Sequence, residues 1–151
     1  MKNCQYLIFC LFLFMGCGHK KEDPNLEIEK RCTAFAEAYF NYDFESAQKL
    51  VTPDSRKWLQ FVATNISQAD VDLINEQEVP ATVSVELCEC VNDSTSIVTI
   101  SVHDFYCKNS IGKAGTIVEE ALFCLTMVKQ QDGKHYVKMA GLPRSEKRSR
   151  D

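Results

Sequence analysis

Residues 80–102 read PATVSVELCECVNDSTSIVTISV, and this stretch decides the fold. Before it, apolar residues recur at helical spacing; from it onward they recur at every second position. Ala81, Val83, Val85 and Leu87 alternate with Thr82, Ser84, Glu86 and Cys88, the pattern of a strand with one buried face. Val98, Ile100 and Val102 alternate with Thr99 and Ser101 in the same way. The intervening Asn92-Asp93-Ser94-Thr95 has the composition of a turn. A turn centred on Asp93-Ser94 sets Leu87 opposite Ile100 and Val85 opposite Val102. The two apolar faces then coincide, and a slip of one residue would separate them.

Working outward toward the C-terminal side, a looser loop over 108–114 leads to a third strand at 117–129. Asp132-Gly133 is a type I′ hairpin signal that pairs Val128 with Val137 and Thr126 with Met139. The expectation is a four-stranded antiparallel meander of order 1-2-3-4. Residues 143–151 read as a charged tail. Toward the N-terminal side, Asp23-Pro24 starts a helix, with Asp as cap and Pro in the first turn. Ile28, Cys32, Phe35, Ala36 and Tyr39 form its apolar face. Asn41-Tyr42-Asp43 breaks it, and Asp43 caps a short helix carrying Phe44, Ala47, Leu50 and Val51. Thr52-Pro53-Asp54 opens a third helix whose apolar positions are Trp58, Leu59, Phe61, Val62 and Ile66, with a further turn or two within 67–75. Helices followed by a meander with one face to cover give an α+β domain over 25–142, its N-terminal helices packed on one face of the sheet.

The text AFAEAYFNYDFESAQKLVTPDSR at 34–56 consists of a long helix, an aromatic, an Asp-aromatic restart and a third helix. With the strands that follow, it resembles the nuclear transport factor 2-like and cystatin-like cone domains over about 26–142. The resemblance implies a strongly curved sheet wrapped around the first helix, with a pocket at the open end. Members of that superfamily include isomerases, dehydratases, polyketide cyclases and plain binding modules, so the fold does not choose the function.

The first residues carry a separate message. Lys2 is followed by an unbroken apolar run at 7–15, too short to span a bilayer and of signal-peptide length. The run ends in Leu13-Phe14-Met15-Gly16-Cys17, which resembles a bacterial lipobox, with Phe14 where Leu is usual. The resemblance implies a signal peptide at 1–16, cleavage after the small Gly16, and acylation of Cys17. It implies a lipid anchor in the membrane, with residues 17–24 as tether. Gly18, rather than Asp, after the acylated position implies the outer membrane, with the domain facing the periplasm or the cell surface.

The net charge of −4 denies nucleic acid its usual electrostatic footprint. Walker, G-x-S-x-G, H-E-x-x-H and dinucleotide motifs are lacking, and neither a cofactor nor a metal is expected. The catalytic candidates come from strand parity: Asp104, Tyr106 and Glu120 interrupt the expected core faces of the second and third strands near one end. Two carboxylates brought together in a pocket form an acid/base pair, which is the route to an isomerase or dehydratase. His103 and Asp104 point to opposite faces and form no dyad; His135 is expected at the solvent. Cys32 and Cys124, both on expected core faces, are a candidate disulfide. The opposite sheet face carries Phe123, Leu125 and Met127, an apolar patch expected to dock a second copy or an envelope partner. The reading favours a non-catalytic binding or interaction module over an enzyme or a structural subunit of an envelope assembly.

Overall fold

The computed structural model describes residues 23–108 and 111–146. The signal-peptide and lipidation readings, including Cys17, lie outside these residues. Helix α1 spans Pro24–Phe40, α2 Phe44–Ala47, α3 Arg56–Thr64 and α4 Gln68–Glu76. Strands follow at β1 (Thr82–Asn92), β2 (Thr95–Cys107), β3 (Thr116–Lys129), β4 (His135–Lys138) and β5 (Ser145–Glu146). The sheet is an antiparallel meander β1-β2-β3-β4, with β5 added to β3. The expected α+β architecture is therefore the observed one.

The caps account for the helix starts. The Asp23 carboxylate accepts from the Asn25 amide at 3.0 Å, and Asp43 accepts from the Ser46 amide at 3.0 Å. Helix α1 ends on Tyr42, whose φ of 62° is left-handed. A tyrosine adopts this at a cost, and its hydroxyl is anchored on the Tyr106 carbonyl at 3.0 Å. Ile28, Cys32, Phe35, Ala36 and Phe40 of α1 are buried against the sheet. Phe35 and Tyr39 stack at 5.6 Å between ring centroids. The far side of α1 is tied to β4: Glu27 pairs with His135 Nδ1 at 2.8 Å, and Arg31 lies 4.5 Å from the Tyr136 ring centroid and donates to the His135 carbonyl. His135, expected at the solvent, is buried by this contact.

Register is where sequence and structure part. At the β1–β2 turn, Asn92 does face Thr95 as expected. Bulges between Cys90 and Asn92 and between Val85 and Leu87 then shift the ladder twice, so that Val85 pairs with Ile100 and Leu87 with Thr99. Leu87 is turned out to solvent, and Cys88 takes its place against the core. The Asp132-Gly133 hairpin is also one residue off the type I′ expectation. Gly133 alone has positive φ (80°) and its amide bonds the Gln130 carbonyl at 2.9 Å. Type I′ needs positive φ at both central residues; here the turn is type I with a glycine bulge. Met127 therefore pairs with Val137 and Val128 with Tyr136.

The largest correction concerns β3. Ile100 faces Phe123, Val98 faces Leu125 and His103 faces Glu120. Phe123, Leu125 and Met127 belong to the core, with exposures of 4%, 4% and 0%; they form no docking patch. Cys124 lies on the opposite, solvent side, bonding Thr99, while Cys32 is fully buried on the sheet-facing side of α1. Both thiols are free, and the Cys32–Cys124 disulfide is not formed. The tail, too, is partly structured: Ser145 and Glu146 pair with Phe123 and Leu122.

Candidate functional site

The open end of the cone is built from the C-terminal end of β2, the start of β3, the end of α1, and α3 with α4. Here the sheet kinks. Asp104 adopts φ 51°, a conformation Asp tolerates better than most residues. Val102 and Phe105 both face the core as a result, although three residues apart. Beyond His103, β2 outruns β1, whose pairing begins at Thr82. The bared edge is satisfied by side chains: Gln77 donates to the Asp104 carbonyl and Tyr42 to the Tyr106 carbonyl.

Inside this end lies an aromatic cluster. Phe40 sits 4.7 Å from Phe123 and 5.2 Å from Phe105, and Phe105 sits 5.6 Å from Phe123, measured between centroids. A cleft of about 110 Å³ opens beside them, bordered by Tyr39, Tyr42, Val62 and Leu142. It is continuous in its lining with a wider surface groove of about 740 Å³, walled by Trp58, Phe61 and the 140–145 segment. The α3 face thus differs from the expected one. Leu59 alone is buried, while Phe61 is 42% exposed and borders the groove.

The polar groups around the cleft are engaged in structure. Asp70, with no exposed surface, accepts the Tyr106 hydroxyl at 2.6 Å, the Ser67 amide at 2.7 Å, the Ser67 hydroxyl at 2.6 Å, and the Lys108 ammonium. The Lys108 bond, then those from Ser67 and Tyr106, hold its carboxyl well below the usual carboxylate range. Burial, then the bond to Asp70, pushes the Tyr106 hydroxyl up. The Gly115 amide completes the set by donating to the Tyr106 oxygen at 2.5 Å. A Cβ at Gly115 would sit 2.3 Å from the Cys107 carbonyl oxygen, so glycine is required there. At neutral pH the carboxylate is saturated with donors and the phenol stays protonated. Neither is poised to move a proton.

The three catalytic candidates do not assemble. Tyr106 borders the cleft but commits its hydroxyl to Asp70. Glu120 lies on the opposite sheet face, accepting from Ser101 at 3.1 Å, and Ser101 in turn contacts His103 Nε2 at 3.2 Å. Asp104 occupies the kink. Sequence reasoning missed Asp70, Lys108 and Gln77. Ser67-x-x-Asp70 is legible as a capping box, but nothing local tells that the same carboxylate reaches Tyr106. Among the described residues no cluster of His, Cys, Asp and Glu is arranged to hold a metal.

Comparison with known proteins identifies the architecture. A crystal structure of a nuclear transport factor 2-like protein of unknown function from Shewanella oneidensis superposes with a TM-score of 0.53 at 12% identity, covering 82% of this chain and 98% of that one. The fold is nuclear transport factor 2-like. A nuclear transport factor 2-like protein involved in plasmid conjugation is similar at 13% identity and TM-score 0.44, covering 85% of this chain and 51% of the other. No family model and no curated protein matches the sequence.

Proposed function

We propose that this chain is a lipid-anchored, non-catalytic binding module of the cell envelope, taking an apolar group of its ligand or partner into the open-end cleft. One observation carries the reading: the cleft is walled by aromatic and aliphatic side chains, and its polar neighbours Tyr106 and Lys108 are both spent on the buried Asp70. Such a site binds by burial of apolar surface. At about 110 Å³ it suits a group of roughly benzene size. The anchor rests on Leu13-Phe14-Met15-Gly16-Cys17 behind an apolar run, and the periplasmic or surface-exposed side of the outer membrane follows from Gly18.

An isomerase or dehydratase would need Asp104, Tyr106 and Glu120 around one substrate, which the arrangement of the open end does not favour. A titration tests the binding reading. Trp58, the sequence's one tryptophan, borders the groove and reports occupancy. A graded series of alkyl and aryl amphiphiles is expected to shift its emission saturably. Phe61→Ser, at an exposed groove position, is expected to weaken binding about tenfold, the order of losing one apolar side-chain contact. Unsaturable shifts that Phe61→Ser leaves unchanged would contradict the reading.

A further inference from the structure

The side chains with polar atoms that border the open-end cleft are Tyr39, Tyr42, Tyr106, Cys107 and Lys108. Three of them are spent within the protein. Tyr42 donates to the Tyr106 carbonyl at 3.0 Å, and Tyr106 and Lys108 both donate to Asp70. Cys107 brings a thiol, a weak donor at best. Tyr39 differs from these neighbours. Its ring is packed against the core, stacked on Phe35 at 5.6 Å and edge-on to Phe40 at 5.1 Å and to Phe44 at 6.1 Å. Its hydroxyl makes no hydrogen bond among the described residues. Every fully buried side-chain oxygen and nitrogen among those residues has a partner. The Tyr39 hydroxyl is therefore reached by solvent, at the tip of a ring that is otherwise packed. Burial, then the neighbouring Cys107, pushes this phenol up. It stays protonated at neutral pH and has a proton to donate.

A hydrocarbon filling the cleft takes the water off this hydroxyl and gives nothing back. A ligand with an oxygen beside its apolar group takes over the role of that water. A site that hydrogen-bonds its ligand rejects the analogue lacking the atom, because its own polar group is then left unpaired. Resting on the reading of the cleft as a binding site, we propose that Tyr39 is its specificity-determining residue, the hydroxyl donating to an oxygen acceptor carried on or beside the ligand's apolar group. The ligand class is an oxygenated aryl or short alkyl group, an ether or a carbonyl, rather than a plain hydrocarbon. Tyr39 supplies the directional contact that apolar walls cannot.

Ethylbenzene and anisole have nearly the same shape and differ by an oxygen in place of a methylene. Calorimetric titration of each into the full chain and into its Tyr39→Phe variant closes a thermodynamic cycle. The variant keeps the ring and its aromatic neighbours, so circular dichroism is expected to show an intact fold. Anisole is expected to bind the variant about fivefold more weakly, the order of one net hydrogen bond. Ethylbenzene is expected to bind it as tightly as the parent or more tightly. Equal weakening of both ligands would make Tyr39 a wall and nothing more, and would overturn the proposal. Anisole bound equally by parent and variant would overturn it as well, while leaving the cleft a binding site. Failure of both ligands to bind the parent would overturn the reading of the cleft itself, and the proposal with it.

Discussion

At the scale of single residues, Leu125 states the difference between a patch and a core. Its neighbours Phe123 and Met127 carry it to the inner face of β3, opposite Val98 and beneath α1. An aspartate there would be a carboxylate enclosed among apolar side chains without a partner. Leu125→Asp is expected to cost more than about 4 kcal/mol, at the extreme of single substitutions, or to prevent folding. Urea denaturation followed by circular dichroism measures it; a folded protein that merely changes its association state would reverse the assignment of the face. Tyr42 makes the complementary point. Its left-handed backbone has no signal in the sequence beyond the break at Asn41-Tyr42-Asp43, because the backbone carbonyl that anchors its hydroxyl is 64 residues away on β2.

At the scale of elements, what was legible divides by the range of the forces involved. The start of α1 at Asp23-Pro24, the restart at Asp43, and the change from helical to alternating period at residue 80 are set by neighbours in sequence, and all are found. Register is set across the sheet, and there the local reading fails by single residues. Two bulges in β1 and a glycine bulge at Gly133 each displace the ladder by one position. The wide 107–116 connection leaves β3 free to present either set of side chains, because both its odd and even positions contain apolar residues. The bulkier odd set, Phe123, Leu125 and Met127, wins the interior, since it removes more apolar area from water. With β3 turned over, Glu120 and Cys124 went outward, and the catalytic trio and the disulfide went with them.

The Asp70 cluster also belongs to this scale, since it ties α4 to the end of β2. The folded-state value of Asp70 lies below its ordinary 3.8. Ionised Asp70 therefore contributes stability that is complete above that value and is lost as pH falls below it. Acid titration of stability is expected to show a decline below pH 3.8 that Asp70→Asn flattens, with the variant less stable than the parent at neutral pH. Parallel acid profiles for the two proteins would show that the cluster contributes nothing to folding.

At the scale of the whole molecule, the proposed reading is of a small binding domain held at a membrane by a lipid tether, with the apolar end of its cone open. The tether makes its own demand. Two or three acyl chains at about 0.8 kcal/mol per buried methylene anchor a protein for good. Cys17→Ser is expected to leave an unacylated precursor in the soluble fraction, and mass spectrometry of the parent is expected to find an acylated Cys17 as the first residue. A mature N-terminus elsewhere, free of acyl chains, would remove the anchor. The cone's central claim is that its buried polar groups hold the open end together while its apolar walls do the binding. Tyr106→Phe separates the two most directly, because it deletes one hydroxyl and leaves the aromatic wall in place. Stability and amphiphile affinity, measured on that one variant, give the answer. The expected result is a loss of about 1–3 kcal/mol, the value of a hydrogen bond to a buried charge, with the Trp58-reported affinity unchanged. Undiminished stability together with lost binding would contradict the account and return Tyr106 to the ligand.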